Sequence, residues 1–316
     1  MIKISIIFMS LVLSGSVLAK KITFPLMGRS FTLVTPDKAV RSPRPLMVLL
    51  HGCKQNANMM IEGTRFDQAA QDHNFFVLAP EQPVLYNFDH CWNWFLPFQQ
   101  ERNMLNDMAT ITAAIETVKK LNKIDDSRIF VSGISAGGVM AHTMAVCYPD
   151  VFKGVAIHSG LSYKIAENLN EAQTVLTIED QKSPQYLGKE AYNCARNFGG
   201  HRLEKVLIIH GSKDQRVNPV HSEIISKVNA VWWDYLDDGN RNSSVKPSIK
   251  KEQIGFANFV VSSETKTYPT HNIVEKMIIV KGLAHAWGGG KPLSENFDPS
   301  APSSTNTILD FFQIKQ

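Results

Sequence analysis

Runs of apolar residues alternate along the chain with segments of helical periodicity. The runs at 45–50 and 75–79 are apolar throughout, which is typical of strands buried on both faces of a parallel sheet. The segment 103–121 instead places Met104, Met108 and Ile111 at the spacing of one helix face. The same two patterns predict strands at 45–50, 75–79, 128–131, 154–157, 205–209 and 277–280, and helices at 66–73, 103–121, 139–148, 220–236 and 305–312.

This alternation of strands and helices predicts an α/β fold whose mostly parallel central sheet carries helices on both faces. Two segments depart from the alternation. Residues 160–204 are of mixed polarity, and we interpret them as an insertion over the C-terminal edge of the sheet. Residues 239–256 have the weakest pattern, and the polar neighbours of Lys246, Lys250 and Lys251 favour a solvated loop.

The first 19 residues have the pattern of a signal peptide. Lys3 supplies the positive charge, residues 4–13 form the apolar run, and 17–19 (VLA) resembles a cleavage site. We therefore predict an exported protein, periplasmic or extracellular, with a signal peptide at 1–19 and one domain at 20–316. A retained N-terminal anchor is the alternative. No second apolar stretch reaches the ~20 residues of a membrane span, so we expect no span after processing.

Composition excludes some classes of partner. Hydrophobic residues make up 44% of the 316 residues, enough for an ordinary core. The formal net charge is only +4 and no long run of like charges occurs, which argues against a nucleic-acid partner. Nothing in the pattern indicates an obligate protein partner.

The chain has four cysteines: Cys53, Cys91, Cys147 and Cys194. An even number in an exported protein suggests two disulfides. Three pairings are possible, and we favour the sequential one, Cys53–Cys91 and Cys147–Cys194. A zinc site is the rival interpretation, but no C-x-x-C pair supports it, and we predict no metal.

The sequence Gly133-Ile134-Ser135-Ala136-Gly137 matches the pattern G-x-S-x-G. In that pattern the serine stands on a sharp turn between a strand and a helix, and the glycines remove side chains that would clash there. Here a predicted strand precedes the pattern and a predicted helix follows it. We therefore predict that Ser135 is a nucleophile rather than part of a plain turn.

A serine nucleophile on such a turn is followed along the chain by an acid and then by a histidine. Of the ten histidines, His221, His271 and His285 lie beyond any plausible acid. His285 follows a predicted strand in a glycine-rich loop, at the sheet edge where catalytic groups gather, so we predict that it is the base. Asp214 follows the strand at 205–209, at the same edge, and is the predicted acid; Asp237 and Asp238 end a helix and fit less well.

The loop after the strand at 45–50 is the expected second side of the site. Backbone N–H groups of Cys53 and Ala136 are predicted to bind the oxyanion of a tetrahedral intermediate. Trp92, Trp94 and Trp287 lie near these motifs in the sequence, and together they favour an aromatic wall along the substrate cleft, although core packing is the ordinary role of any single one.

The chain resembles the poly(3-hydroxybutyrate) depolymerase-type esterases, relatives of feruloyl and acetyl-xylan esterases, in the α/β-hydrolase superfamily. The resemblance is carried in order by 50–55 (LHGCKQ), 91–95 (CWNWF), 133–140 (GISAGGVM), 148–152 (YPDVF), 158–160 (HSG), 210–214 (HGSKD) and 282–287 (GLAHAW). It implies a single catalytic domain in which Ser135, Asp214 and His285 form the triad. His51, Gly52 and His158 lie in the matched motifs and are expected at the substrate site.

The resemblance also implies an esterase that needs neither metal nor cofactor. Polymer-degrading members often carry a linker and a separate substrate-binding domain, which we do not find here, so soluble or oligomeric hydroxyalkanoate esters are the expected substrates. Feruloyl or acetyl-xylan esters and lipid acyl esters are the alternatives. An acyltransferase with the same triad, a peptidase and a non-catalytic binding protein are the other classes that we consider.

Overall fold

The structure is a computed structural model and describes residues 19–37, 42–177, 182–197 and 203–315. The predicted signal peptide therefore lies outside the described residues, except for Ala19. The strands are β1 (Lys20–Leu26), β2 (Arg29–Thr35), β3 (Arg44–Leu50), β4 (Phe76–Pro80), β5 (Ile124–Ile134), β6 (Gly154–His158), β7 (Lys205–Gly211), β8 (Ser248–Phe256), β9 (Phe259–Tyr268), β10 (Ile273–Lys281), β11 (Trp287–Gly288) and β12 (Phe297–Asp298). The helices are α1 (Ala57–Gly63), α2 (Phe66–His73), α3 (Asp107–Leu121), α4 (Ala136–Cys147), α5 (Leu169–Val175), α6 (Pro184–Ala195), α7 (Val220–Asp238) and α8 (Ser304–Phe311).

Ten of these strands form one sheet in the order β1-β2-β4-β3-β5-β6-β7-β10-β9-β8. The six central strands, from β4 to β10, run parallel to one another. The pairs at both edges are antiparallel. The predicted α/β-hydrolase fold, with a mostly parallel sheet, is confirmed.

Both faces of the sheet are covered, as its apolar strands require. In β3, Leu46, Val48 and Leu50 pack on one side, whereas Met47 and Leu49 pack on the other. Helices α3, α4, α6 and α7 contribute to the first core, and α1, α2 and α8 to the second. In a strand that is buried on both faces, polar residues do not alternate with apolar ones, which explains the continuous apolar runs in the sequence.

The strand order fixes where a site can form. The chain goes from β3 outward to β4 and then returns past β3 to β5. The connections after β3 and β5 therefore leave the sheet in opposite directions, and a crevice opens at the C-terminal ends of these two strands. The loop that begins at His51 and the turn at Ser135 flank this crevice.

The structure corrects several sequence-based boundaries. Helix α3 begins at Asp107, capped by Asn106, and not at 103. Met104, which we assigned to the buried face of that helix, is 83% exposed. Lys250 and Lys251 lie in strand β8 and not in a loop. Because β8 is exposed along its whole length, its sequence has no pattern of buried apolar residues that would predict a strand.

The segment 160–204 contributes to two different parts of the fold. Helix α5 lies beside the crevice: Leu169 and Ala172 of this helix and Leu176 directly after it line the crevice. Helix α6 instead packs against α4 and α7 in the helical layer. No helix among the described residues is both long enough and apolar enough to cross a membrane.

Candidate active site

Ser135 lies on a strained turn between β5 and α4. Its φ of 59° and ψ of −125° are unusual for a residue other than glycine. The turn is held by a hydrogen bond of 3.0 Å from the Ser135 N–H to the His158 carbonyl oxygen. The Ser135 side chain caps no N–H of α4 and lines the cleft, so its hydroxyl remains available to a ligand.

The two glycines of the motif are explained by close backbone contacts. A Cβ on Gly133 would lie 2.3 Å from the carbonyl oxygen of Gly137, and one on Gly137 would lie 2.4 Å from that of Leu50. Both distances are far below van der Waals contact. Only glycine lets β3, β5 and the start of α4 approach closely enough to present Ser135 beside the loop after β3.

Asp214 follows β7 and is almost completely buried. Its Oδ1 accepts hydrogen bonds from the N–H groups of Arg216 and Val217, each at 2.9 Å. Its Oδ2 accepts from two imidazoles, His285 Nδ1 at 2.6 Å and His210 Nε2 at 3.1 Å. Burial alone would raise the pKa of Asp214, but the hydrogen bonds from His210 and His285 outweigh it and hold the pKa well below its ordinary value.

Backbone contacts between two loops bring His285 to Asp214. The Lys213 N–H donates to the Leu283 carbonyl oxygen at 2.9 Å. A Cβ on Gly211 would lie 2.3 Å from the same carbonyl oxygen, so the end of β7 packs directly on the loop after β10. The 2.6 Å contact between His285 and Asp214 follows from this packing and fixes Nδ1 as the protonated nitrogen.

Ser135 and His285 line the same cleft. Within the described residues, however, the Ser135 hydroxyl makes no hydrogen bond to the imidazole or to any other side chain. Hydrogen bonds of this kind are often long in proteins without substrate and shorten when the substrate binds. The structure thus joins the predicted acid and base directly, and the predicted nucleophile lies in the lining of the same cleft as the base.

A tight turn at 52–55 forms the opposite side of the cleft. The Gln55 N–H donates to the Gly52 carbonyl oxygen at 3.3 Å, and the Gln55 side-chain Oε1 accepts from the Gly52 N–H at 2.7 Å. Lys54 has a φ of 60°. The Cys53 N–H, at the tip of the turn, donates to no acceptor among the described residues, and neither does the Ala136 N–H at the start of α4.

The turn lies against the nucleophile turn. A Cβ on Gly52 would lie 3.4 Å from the Cβ of Ser135. Cys53 and Ala136 both line the cleft. Two unpaired backbone donors beside a serine hydroxyl meet the basic requirement for binding an oxyanion.

Both predicted disulfides are present. Cys53 is bonded to Cys91, and Cys147 to Cys194. The first ties the turn at 52–55 to the loop between β4 and α3, and the second joins the C-terminal ends of α4 and α6. No group of side chains among the described residues is suited to hold a metal ion.

The cleft has a volume of about 1230 Å³. Trp94 and Phe95 form part of its wall, as do Tyr86 and Phe88 from the loop before Cys91. Arg216 also lines it, hydrogen-bonded to Asn296 and paired with Glu295, both of which are cleft residues. The lining of the cleft therefore combines apolar and aromatic side chains with polar ones, which include Lys54, Asn87, Asp89 and Asn93 as well as the group formed by Arg216, Glu295 and Asn296.

The predicted aromatic wall needs correction. Gly52 and Trp94 line the cleft as expected, but Trp92 and Trp287 are fully buried and do not. The Trp92 indole donates to the His51 carbonyl oxygen at 3.0 Å. The Trp287 indole donates to Thr305 Oγ1 at 2.9 Å. Both indoles are structural supports beneath the site.

His51 and His158, also predicted to contact substrate, are fully buried as well. Burial lowers the pKa of His51 to about 4 and that of His158 to about 3. His51 Nδ1 donates to the Gly52 carbonyl oxygen at 2.8 Å, and its Nε2 accepts from the Gln82 N–H at 3.0 Å. His158 stacks on Trp287. Neither imidazole reaches the cleft, so these predictions were wrong about contact with substrate.

Two residues of the site were not predicted from the sequence. Gln55 and His210 lie within the motifs at 50–55 and 210–214, but the spacing of those motifs did not reveal their contacts. The loop carrying Tyr86 and Phe88 was also missed, because two isolated aromatics among Asn and Asp residues have no periodicity.

A known protein family and several known proteins are similar to this chain. The family described as "Esterase PHB depolymerase" matches residues 29–238, about two thirds of the chain. The match includes Ser135 and Asp214 and ends before His285. Poly(3-hydroxyalkanoate) depolymerase C of Paucimonas lemoignei is 35% identical over 177 residues, which are 56% of this chain and 42% of that protein.

Feruloyl esterase B of Thermothelomyces thermophilus is 28% identical over 196 residues, covering 60% of this chain and 66% of that protein. The chain thus spans less than half of the first relative and just under two thirds of the second. Among solved structures, an acetyl xylan esterase from Aspergillus awamori superimposes with a TM-score of 0.71 over 93% of this chain and 99% of that one. At 18% identity this likeness supports the fold alone.

Proposed function

The chain belongs to the PHB depolymerase family of esterases, and from that membership we propose that it is a serine esterase acting on hydroxyalkanoate esters. The observation that carries the proposal is the 2.6 Å contact between His285 Nδ1 and a buried Asp214, in the cleft that Ser135 also lines. A buried carboxylate that fixes the imidazole tautomer leaves Nε2 as a proton acceptor, which is what a serine nucleophile needs.

In the proposed reaction, Ser135 Oγ attacks the ester carbonyl carbon while His285 Nε2 accepts the hydroxyl proton. The carbonyl oxygen becomes an oxyanion, and the N–H groups of Cys53 and Ala136 donate to it. His285, now an imidazolium, is stabilised by Asp214. It gives its proton to the departing alkoxide, so that an alcohol leaves and the acyl group remains on Ser135.

The second half of the reaction repeats the first with water as the nucleophile. His285 removes a proton from water, the hydroxide attacks the acyl-enzyme, and collapse of the intermediate returns the proton to Ser135. The products are a carboxylic acid and an alcohol. His285 passes the first proton to the leaving alkoxide and the second back to Ser135, so the proposed steps balance without a metal or an organic cofactor.

The apolar rim of the cleft supports a hydroxyalkanoate substrate. Leu85 is 85% exposed and Phe88 is 93% exposed, and Tyr86 and Leu169 are also exposed. Tyr86, Phe88 and Leu169 line the cleft itself. An aliphatic polyester chain offers alkyl groups to such a rim, whereas an acetylated polysaccharide offers mainly hydroxyl groups.

A feruloyl ester is the second candidate. Trp94 and Phe95 pack edge to face with centroids 5.6 Å apart in the wall of the cleft, and an aromatic acyl group would stack on such a surface. The similarity to feruloyl esterase B favours the same substrate class.

Export is supported by the two disulfides, which persist in oxidising compartments.

The test is a panel of substrates on the purified protein: soluble 3-hydroxybutyrate oligomers, methyl ferulate and acetylated xylan, with Ser135→Ala as the control for contaminating esterases. We expect the highest kcat/KM for the oligomers. Preference for methyl ferulate would replace the proposed substrate by the second candidate. Absence of turnover on every ester would contradict the proposed activity.

A further inference from the structure

Asp214 Oδ2 accepts hydrogen bonds from two imidazoles, and only one of them belongs to the proposed triad. His210 Nε2 lies 3.1 Å from the oxygen that His285 Nδ1 contacts at 2.6 Å. His210 is fully buried and lies within β7, four residues before Asp214. It does not line the cleft, so it acts on the reaction only through Asp214.

The neighbours of His210 determine its tautomer. Nε2 faces two acceptors, Asp214 Oδ2 and the Val217 carbonyl oxygen, both at 3.1 Å. A nitrogen between two acceptors must carry the hydrogen. Nδ1 lies 3.1 Å from Ser222 Oγ and accepts its hydroxyl hydrogen. The imidazole is thus a fixed donor to the carboxylate.

The sequence of contacts Ser222, His210, Asp214 mirrors the proposed triad, but it is not a second active site. Ser222 and His210 are both fully buried and neither lines the cleft. Nor is His210 needed to orient the carboxylate, because two backbone N–H groups hold Oδ1. What remains for His210 is an effect on the charge of Oδ2.

We infer that His210 is a positioning residue that shares the negative charge of Asp214 with His285. The inference rests on the proposed function. A carboxylate oxygen that accepts a second hydrogen bond interacts less strongly with the imidazolium form of His285. The imidazolium formed during the reaction is therefore less strongly stabilised than it would be by a carboxylate that accepted from His285 alone, and we expect His210 to extend the activity of the esterase into more acidic solution.

The other ionisable groups that face this cluster do not supply the same effect. His158 from β6 and His221 from α7 are both buried, and burial lowers their pKa values to about 3 and about 4. Both are therefore neutral where the enzyme would work. Arg216, in the turn after Asp214, is exposed and directs its guanidinium to Glu295 and Asn296.

The test compares His210→Leu, which removes the donor, with His210→Gln, whose amide nitrogen reaches the position of Nε2. His142→Leu is the control for loss of a buried histidine: His142 bonds Asn229 and the Tyr163 N–H and does not line the cleft. The quantities measured are kcat and KM for a soluble ester from pH 4.5 to 9, and the fraction folded at each pH.

In His210→Leu we expect the acid limb of the kcat/KM profile to move upward by about 0.5 to 1 pH unit, with KM little changed, since nearby charges shift such ionisations by this order. In His210→Gln and His142→Leu the limb should stay at the wild-type pH. An acid limb in folded His210→Leu that is unmoved, or moved downward, overturns the inference. Absence of turnover by the wild-type enzyme would instead contradict the proposed function.

A measurement on the wild-type protein covers the case in which His210→Leu does not fold. The ¹⁵N spectrum of the imidazoles distinguishes protonated from unprotonated ring nitrogens. At the pH of highest activity, we expect His210 to carry a hydrogen on Nε2 and none on Nδ1. A hydrogen on Nδ1 alone would leave a lone pair facing Asp214 and would overturn the inference.

Discussion

At the scale of single residues, Gln55 has the most direct influence on the proposed oxyanion hole. Its Oε1 holds the Gly52 N–H at 2.7 Å, and its own N–H closes the turn that presents the Cys53 N–H. Its side-chain Nε2 is buried without a partner among the described residues. Leaving a buried donor unpaired has a desolvation cost, which is consistent with a role for this side chain in holding the turn.

We therefore predict that Gln55→Met lowers kcat on the order of ten-fold with little change in KM. Removal of one oxyanion donor lowers kcat by about 10²–10³-fold, and a donor that is only less well positioned should lower kcat by less. The control is Gln99→Met, which removes a buried glutamine that bonds Asp107. Steady-state kinetics on a soluble ester measures both. Equal effects of the two substitutions would show that Gln55 matters only for general stability.

Residue positions were predictable where the fold itself demands a residue type. The glycines around Ser135 and the order of serine, acid and histidine are constraints of backbone geometry, so they are visible in the sequence. The direction of an aromatic side chain is not. Trp92 and Trp94 are two positions apart, yet Trp92 is buried beneath the loop while Trp94 lines the cleft.

At the scale of elements, the buried parts of the central strands and the helices α2, α4, α7 and α8 were predicted within a few residues of their bounds, whereas α1, α5, α6 and the edge strands were not predicted. β3, β4, β6 and β7 and the second half of β5 are buried on both faces, which gives a strong signal in the sequence. β8 is exposed on both faces, and a strand that is paired on one side only and solvated elsewhere has no hydrophobic pattern to find. Strands β1 and β9 are also largely exposed or only half-buried.

The two disulfides are matched in size but differ in what they join. Cys53–Cys91 closes 38 residues and Cys147–Cys194 closes 47, so each should stabilise the fold by roughly 4 kcal/mol in the chain-entropy estimate. Only the first contains a proposed oxyanion donor.

We predict that replacing either pair of cysteines by alanine lowers the free energy of unfolding to a similar extent, but that only Cys53→Ala with Cys91→Ala also lowers kcat of the folded protein. Urea unfolding and active-site-normalised kinetics separate the two effects. If the Cys147→Ala with Cys194→Ala variant loses as much kcat, the turn at 52–55 does not depend on its disulfide.

At the scale of the whole molecule, buried neutral histidines make stability depend on pH. Burial lowers the pKa from 6.5 to about 4 in His51, His142 and His221, and to about 3 in His158. In the unfolded chain the same groups gain protons below about pH 6.5. The unfolded state therefore binds more protons between pH 6.5 and 4, and the free energy of unfolding falls as the pH is lowered through that window.

Each such histidine contributes up to about 1.4 kcal/mol per pH unit within the window. We predict a steep loss of stability from pH 6.5 to 4.5, measured by urea unfolding, and a shallower loss in His142→Leu, which removes one of the four groups. A free energy of unfolding that is level across this range would show that the imidazoles are not held neutral in the folded protein.

The central claim is that Ser135 is the nucleophile, activated through His285 and Asp214. The most direct measurement is labelling by a fluorophosphonate ester, which forms a stable bond with an activated serine, followed by mass spectrometry of the peptides. We predict one phosphonyl group per chain, on Ser135, with loss of esterase activity in proportion to labelling and no label on Ser135→Ala. Full inhibition with the label on another residue, or undiminished turnover by Ser135→Ala, would contradict the account.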